Sequence, residues 1–241
     1  MIRWVHAFLD RPARKLDIAV EFWSAVTGTV GLPQPEPGFV GLHSELSDDW
    51  LEVQGVLDGP GGVHLDFSVD DVLVFAERAT TAGASVIADH GFWQTLVSPA
   101  GVAFCVAPWK GQKRRPRPFA GPDGGLSRAH QVCLDLPPSR FEAEVRFWSG
   151  LTGWPLDSSG LPVFSRLQPA WPVPIRILLQ QLDEEREASA HLDVSASNIP
   201  ATRAWHERLG ASFVGEWPHW TTMTDPAGGV YCLTKGDPTI D

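Results

Sequence analysis

Apolar and polar positions alternate through residues 4–10, WVHAFLD, so that His6, Phe8 and Asp10 share one face of an extended segment and Val5, Ala7 and Leu9 the other. A strand is predicted there, and the period then changes. In RKLDIAVEFWSAVTG, Leu16, Ala19, Val20, Trp23 and Val26 fall near helical spacing, and Gly28 stands where a left-handed residue would close the helix. FVGLH and WLEVQGV predict strands, giving β-α-β-β with room for one more short strand. A second unit opens in VHLDFSV, where His64, Asp66 and Ser68 face away from Leu65, Phe67 and Val69. Asp70 or Asp71 can cap a helix whose apolar face is Val72, Phe75, Ala76 and Ala79, and Gly83 closes it. SVIAD, WQTLVS and VAFCVA then supply three strands, the last reached through a SPAG turn.

The same pattern returns later in the chain. His64-Leu65-Asp66 recurs as His191-Leu192-Asp193, Trp93 as Trp220, Thr95 as Thr222 and Cys105 as Cys232, at one unbroken spacing. Of the 42 positions from His64 to Cys105, 13 are identical to their counterparts, which makes the chain a tandem duplication. Phe22-Trp23-Ser24 returns as Phe147-Trp148-Ser149, and His6 is matched to His130, with small differences in loop length. The fold expected is α+β, with four βαβββ units paired into two cup-shaped mixed sheets that carry their helices outside. Residues 1–109 form the first domain and 127–236 the second. Residues 110–126, rich in Pro, Gly and basic side chains, read as an exposed linker.

Composition narrows the class. The 241 residues carry a formal charge of −10, which argues against nucleic acid as a partner and leaves the basic run as a solvated linker. No window is apolar enough for a membrane span and no signal-peptide core follows Met1, so a cytoplasmic protein is expected, as monomer or homodimer. The three cysteines read as small buried residues.

With helices on one side of each sheet, the face carrying His6, His64 and Asp66 turns away from them, and a polar hollow on that face is the place for a small-molecule ligand. His64 and Asp66, like His191 and Asp193, lie two apart on a strand and can act as a base and its orienting carboxylate; the alternative is that the histidine hydrogen-bonds within a polar floor while the aspartate fixes a strand end. Trp93 and Trp220 can stack on a flat ligand or pack between units.

Paired βαβββ units, an early histidine in each first strand, and the Ser-Pro-Ala-Gly or Asp-Pro-Ala-Gly turn before the closing strand resemble the vicinal-oxygen-chelate superfamily, in particular its glyoxalase-like domains. That superfamily includes glyoxalase-type lyases, ring-cleaving dioxygenases and bleomycin-binding resistance proteins. The resemblance implies a four-ligand metal site. Carried over, it offers His6, Gln54 or Glu52, His64 and Cys105 in the first domain, and His130, Gln180, His191 and Cys232 in the second. Cysteine stands where the family has its closing glutamate, and Gln54 with Gln180 is a better-matched pair than Glu52, opposite which stands Leu178. A set so short of carboxylates favours no cofactor, with zinc, nickel or manganese as the alternative.

The leading expectation is therefore a protein that binds a small organic molecule through His6, Gln54, Trp93, His130, Gln180 and Trp220, without the hard divalent ion. Its rivals are a metal-dependent lyase or isomerase using the His/Gln/His/Cys sets, and a drug-sequestering resistance protein.

Overall fold

A computed structural model of the chain describes residues 1–57, 61–122, 124–157 and 160–239. Asp123 in the expected linker and residues 158–159 in the expected second domain lie outside the described residues. The first half runs β1 (Ile2–Pro12), α1 (Leu16–Thr27), β2 (Val30–Pro33), β3 (Phe39–His43), β4 (Leu51–Val56), β5 (Gly62–Val69), α2 (Val72–Thr81), β6 (Ser85–Asp89), β7 (Gln94–Val97) and β8 (Ala103–Pro108). These strands form an eight-stranded sheet in the order β2-β3-β4-β1-β5-β8-β7-β6, parallel where β1 meets β4 and β5 meets β8.

The second half begins with β9 (Phe119–Ala120), β10 (Leu126–Leu136), α3 (Pro138–Thr152), β11 (Leu156–Asp157), β12 (Phe164–Leu167) and β13 (Arg176–Gln181). It continues with β14 (Ser189–Ala196), α4 (Ile199–Arg208), β15 (Ser212–Glu216), β16 (Trp220–Thr224) and β17 (Val230–Lys235). The nine-stranded sheet repeats the first order as β11-β12-β13-β10-β14-β17-β16-β15, with β9 added against β10. Four βαβββ units in two mixed sheets are thus present, and the extra short strand of the first unit is β2.

Local chemistry accounts for the element ends. Gly28 and Gly153 close α1 and α3 at φ +66° and +69°, backbone angles that a Cβ would strain. Asp71 accepts the Val74 amide at the start of α2, and Asn198 accepts the Ala201 amide at the start of α4. Along β1, Val5, Ala7 and Leu9 are fully buried, as alternation predicts for the core-facing side. Cys105, Cys133 and Cys232 are buried and unbridged. No helix among the described residues is long and apolar enough to cross a membrane.

Packing divides the chain into two compact units that cut across the repeat. One comprises residues 1–6, 64–112 and 132–190. Its core joins Phe67 and Phe104 to Phe147 and Trp148, with the Phe104 and Trp148 rings 5.2 Å apart, edge to face. Glu144 is fully buried there and accepts the Ala100 amide at 2.8 Å and the Trp148 indole N–H at 2.7 Å.

The other unit comprises residues 7–63, 113–131 and 191–241. In it Trp23 lies 5.2 Å from Tyr231, Phe22 lies 5.6 Å from His206, and His206 Nδ1 meets the Tyr231 hydroxyl at 2.9 Å. Arg11, fully buried, donates from Nε to Asp225 at 2.6 Å, and the Trp23 indole donates to the same carboxylate oxygen at 2.9 Å. In both units, the first helix of one half packs on the second βαβββ unit of the other half.

Gly229, where the first half has Val102, leaves room for the Arg11 guanidinium, on which any added Cβ would fall. Gly229→Ala is expected to cost about 1–3 kcal/mol through overpacking. An unchanged urea midpoint would contradict that packing. The segment read as an exposed linker makes specific contacts. Phe119 packs on Trp205 at 5.8 Å, and Arg114 reaches Asp48 at 3.1 Å and the Glu45 carbonyl at 3.0 Å. The Lys113 and Arg114 amides also donate to Asp48, at 2.6 and 2.9 Å.

Candidate functional site

Strand alternation builds the site of the first half. In β5, Leu65, Phe67 and Val69 are buried on the core side, which turns His64 and Asp66 to the opposite face. His64 Nε2 lies 3.4 Å from Asp66 Oδ1, with the two side chains 12% and 14% exposed, so a polar pair remains within reach of a ligand. The parallel register sets Cys105 of β8 beside Asp66, and the antiparallel register sets Thr95 of β7 beside Cys105. The Thr95 hydroxyl is 3.6 Å from the Cys105 sulfur. A nitrogen of His64, a carboxylate oxygen of Asp66 and the Cys105 sulfur all fall within 4.8 Å of one another.

Electrostatics keeps two neighbouring groups neutral. Burial, and then the positive charge of Lys110, push the His6 imidazole down to about 4, partly offset by its hydrogen bond to the Asp66 backbone. Burial, followed by the Asp66 charge, pushes the Cys105 thiol up, with His64 and Thr95 working in the other direction.

Register also sorts the candidates of β4. Glu52 stands beside Phe8 and Gln54 beside Asp10. Phe8 lies two residues beyond His6, as Asp66 lies two beyond His64, so Glu52 is the counterpart of Cys105. Gln54 lies one step further along. Gln54 and Gln180 are matched by strand pairing as they are in the repeat, Phe39 standing opposite Gln54 and Phe164 opposite Gln180. By the same register, Leu178 takes the place of Glu52.

The second half reproduces part of this arrangement. His191 Nε2 lies 3.4 Å from Asp193 Oδ1, Cys232 pairs with Asp193 in register, and the Thr222 hydroxyl is 3.5 Å from the Cys232 sulfur. In β10, Val132, Leu134 and Leu136 are fully buried on the side that His130 shares, while Gln131, Cys133 and Asp135 take the other. Gln131, not His130, therefore occupies the place of His6, and its amide donates to Asp193 at 2.7 Å. The signal was available in the Phe-Trp-Ser match of the two helices, which sets Gln131 opposite His6. The His-to-His match slips by one residue, and one residue exchanges the faces of a strand. Gln180 Oε1 accepts from Cys133 at 3.6 Å.

Each of the two tryptophans is half-buried and carries a neighbouring ring on one face. His90 stacks on Trp93 at 3.6 Å and 8°, and Trp217 stacks on Trp220 at 5.6 Å and 11°. Thr95 and Thr222 were visible in the repeat but not singled out for the site, because a threonine facing a cysteine has no signature beyond its strand register.

The family model for the glyoxalase-like domain matches residues 6–107 and 131–234. No curated protein matches the chain. Among solved structures, the Mn(II)-bound glyoxalase from Novosphingobium aromaticivorans aligns over 97% of this chain and 81% of its own, with 14% identity and a TM-score of 0.69. The 2,3-dioxygenase LapB from Pseudomonas sp. KL28 aligns over 98% and 92%, with 13% identity and a TM-score of 0.68. The 2,2',3-trihydroxybiphenyl 1,2-dioxygenase from Sphingomonas wittichii strain RW1 aligns over 98% and 91%, with 16% identity and a TM-score of 0.66. At these identities the likeness is one of fold.

Proposed function

The chain belongs to the glyoxalase-like domain family, within the vicinal-oxygen-chelate superfamily, and from that premise we propose that it binds a small organic molecule over His64, Asp66 and Cys105 of its first domain. The observation that carries this reading is the convergence, within 4.8 Å, of an imidazole nitrogen and a carboxylate oxygen on partly exposed side chains and the sulfur of the buried Cys105. An imidazole beside a carboxylate can take a proton from a bound molecule, with the carboxylate charge stabilising the imidazolium that forms. Where the ligand carries an acidic C–H next to a carbonyl, the pair suits proton abstraction to an enolate. Turnover would then be of the lyase or isomerase type.

The second domain is the lesser site in this reading. Asp193 is engaged by Gln131, and Leu178 stands in the position of Glu52. His191 and Asp193 keep Cys232 and Thr222 beside them, as His64 and Asp66 keep Cys105 and Thr95, but lack the imidazole of His6 and the carboxylate of Glu52.

The donors bear on a metal as well. A hard ion prefers oxygen ligands, and Cys105 stands in the closing position with its thiol pushed up by burial. Zinc accepts mixed nitrogen, oxygen and sulfur ligands, so His64, Asp66 and Cys105 fit it and would hold it. Bound zinc would polarise a carbonyl oxygen of the ligand as a Lewis acid. This second reading rests on the same three-atom cluster.

Elemental analysis of protein purified without an affinity tag separates the two. Substoichiometric zinc, nickel and manganese are expected, together with a small carbonyl or aromatic compound that raises the melting temperature before and after chelator treatment. His64→Ala should abolish that rise and His191→Ala should leave it. Near-stoichiometric zinc lost in His64→Ala would move the assignment to the metal-dependent reading. Tight, chelator-resistant binding of bulky aromatic drugs without turnover would identify sequestration instead. A panel in which no compound alters melting would sink the binding proposal.

A further inference from the structure

A cavity of about 630 Å³ opens between α4 and the β15–β16 hairpin, lined among others by Asn198, Arg203, Glu207, Trp217, Trp220 and Lys235. None of these residues belongs to the His64 cluster. Comparison of the two halves shows what changed here. The β6–β7 hairpin carries His90 over Trp93, whereas the β15–β16 hairpin carries Trp217 over Trp220.

The larger ring comes with a second change. At the matched bulge, Ala88 in the first half is Gly215 in the second, and a Cβ on Gly215 would fall 2.6 Å from the Trp217 ring. Loss of that methyl lets the indole lie against its own strand. Trp217 is thus held by Gly215 on one side and Trp220 on another, yet remains 45% exposed. A fixed, half-open indole is a ready platform for a flat ring.

Charge along the cavity is ordered. Lys235 pairs in register with Ala196, just before the start of α4, and its backbone amide donates to the His219 carbonyl at 2.8 Å, which roots it beside the hairpin tip. The positive end of the ten-residue helix dipole lies at the same end. Arg203, by contrast, is committed to Glu207 at 2.9 Å and lies over the Phe213 ring at 3.7 Å. Lys235 forms no ion pair among the described residues, and of the two acids in the lining Glu207 is paired with Arg203, which leaves Glu216 as a negative charge that a bound carboxylate would meet.

We propose that this cavity binds a planar aromatic carboxylate, with its ring on the face of Trp217 and its carboxylate at Lys235. The site does not depend on the function assigned to the first domain. Titration with benzoate, followed by calorimetry and by the indole N–H resonance of Trp217, tests it. Saturable binding is expected, weakened about 10-fold in Trp217→Ala by loss of the stacking contact. A similar loss of about 10-fold is expected in Lys235→Gln, with a salt dependence that the variant lacks.

Gly215→Ala, which displaces the indole without removing it, should weaken benzoate in the same direction, and Glu216→Gln should tighten it. Cyclohexanecarboxylate, which is not flat, and benzamide, which is not charged, should each bind more weakly than benzoate. His64→Ala should leave benzoate binding intact, so that failure here and failure of the first-domain reading are separable. Unchanged affinity in both Trp217→Ala and Lys235→Gln, loss of binding in His64→Ala, or no saturable shift at Trp217 would each overturn the proposal.

Discussion

Asp225→Ala should lower the free energy of unfolding by about 3–5 kcal/mol, the range for removing one partner of a buried ion pair. Four donors converge on this carboxylate. Arg11 Nε and the Trp23 indole share one oxygen at 2.6 and 2.9 Å, and the Ala227 and Gly229 amides share the other, both at 2.9 Å. Arg11 also donates to the Asp10 and Gly62 carbonyls at 2.7 Å, so its guanidinium is pinned and cannot follow the lost partner to water. Alanine would leave a fully buried cation with no anion. Urea denaturation of the intact chain measures the effect, and Arg11→Met combined with Asp225→Ala should recover part of the loss, because both charges then disappear together. A single variant within about 1 kcal/mol of the parent, the scale of an exposed pair, would show that the contact is not the buried bridge described.

This bridge marks a limit of what the sequence made legible. The Asp-Pro-Ala-Gly and Ser-Pro-Ala-Gly turns were read as equivalent punctuation before a closing strand. The difference between Asp225 and Ser98 has meaning only in three dimensions, since Arg11 and Trp23, the two side chains that Asp225 binds, lie some two hundred residues upstream. The exchange of units between the two halves was hidden for the same reason. Periodicity reports which face of an element is apolar but not which distant element covers it, and the aromatic stripes of α1 and α3 would read alike for either partner. What sits close in sequence was recovered well. The alternation of β5 and β14, the Asp71 and Asn198 caps and the Gly28 exit each involve neighbours within a few residues.

The site divides along the same line. His64 with Asp66, and His191 with Asp193, share a strand and needed only alternation to be placed together. Cys105 and Cys232 came from the repeat. Gln131 and Glu52 required register between strands, and an error of one residue or one step in a matched pair is enough to move a candidate from one position to another. Glu52, Leu178, Gln131 and His6 together show that duplication left two halves with one fold and unequal chemistry. In the second half, a neutral amide and an aliphatic side chain replace an imidazole and a carboxylate.

The same asymmetry governs the buried carboxylate of the other compact unit, where Glu144→Ala should cost about 2 kcal/mol by orphaning the Ala100 amide and the Trp148 indole. Trp148 is the repeat partner of Trp23. In one unit its carboxylate comes from the turn, as Asp225; in the other it comes from the helix, as Glu144. The difference is the cation, because the helix match that pairs Trp23 with Trp148 sets Leu136 opposite Arg11. Glu144 is pushed above the ordinary glutamate value of 4.5, chiefly by burial, despite hydrogen bonds from Ala100, Ser98 and Trp148 and the positive charge of Arg140.

Between that ordinary value and the raised one, the folded chain holds a proton that the unfolded chain has released. Stability from this group is therefore greatest below the ordinary value and is lost as pH rises through the folded one. Glu144→Ala should remove this pH dependence and bring the parent and variant closer together at neutral pH than at mildly acidic pH. Glu144→Gln should not restore the parent, because one oxygen cannot accept from donors placed on two. Ser98→Asp in the alanine background should recover part of the stability by supplying the carboxylate from the turn. Unfolding curves that keep the parental pH slope in Glu144→Ala would show that another group sets it.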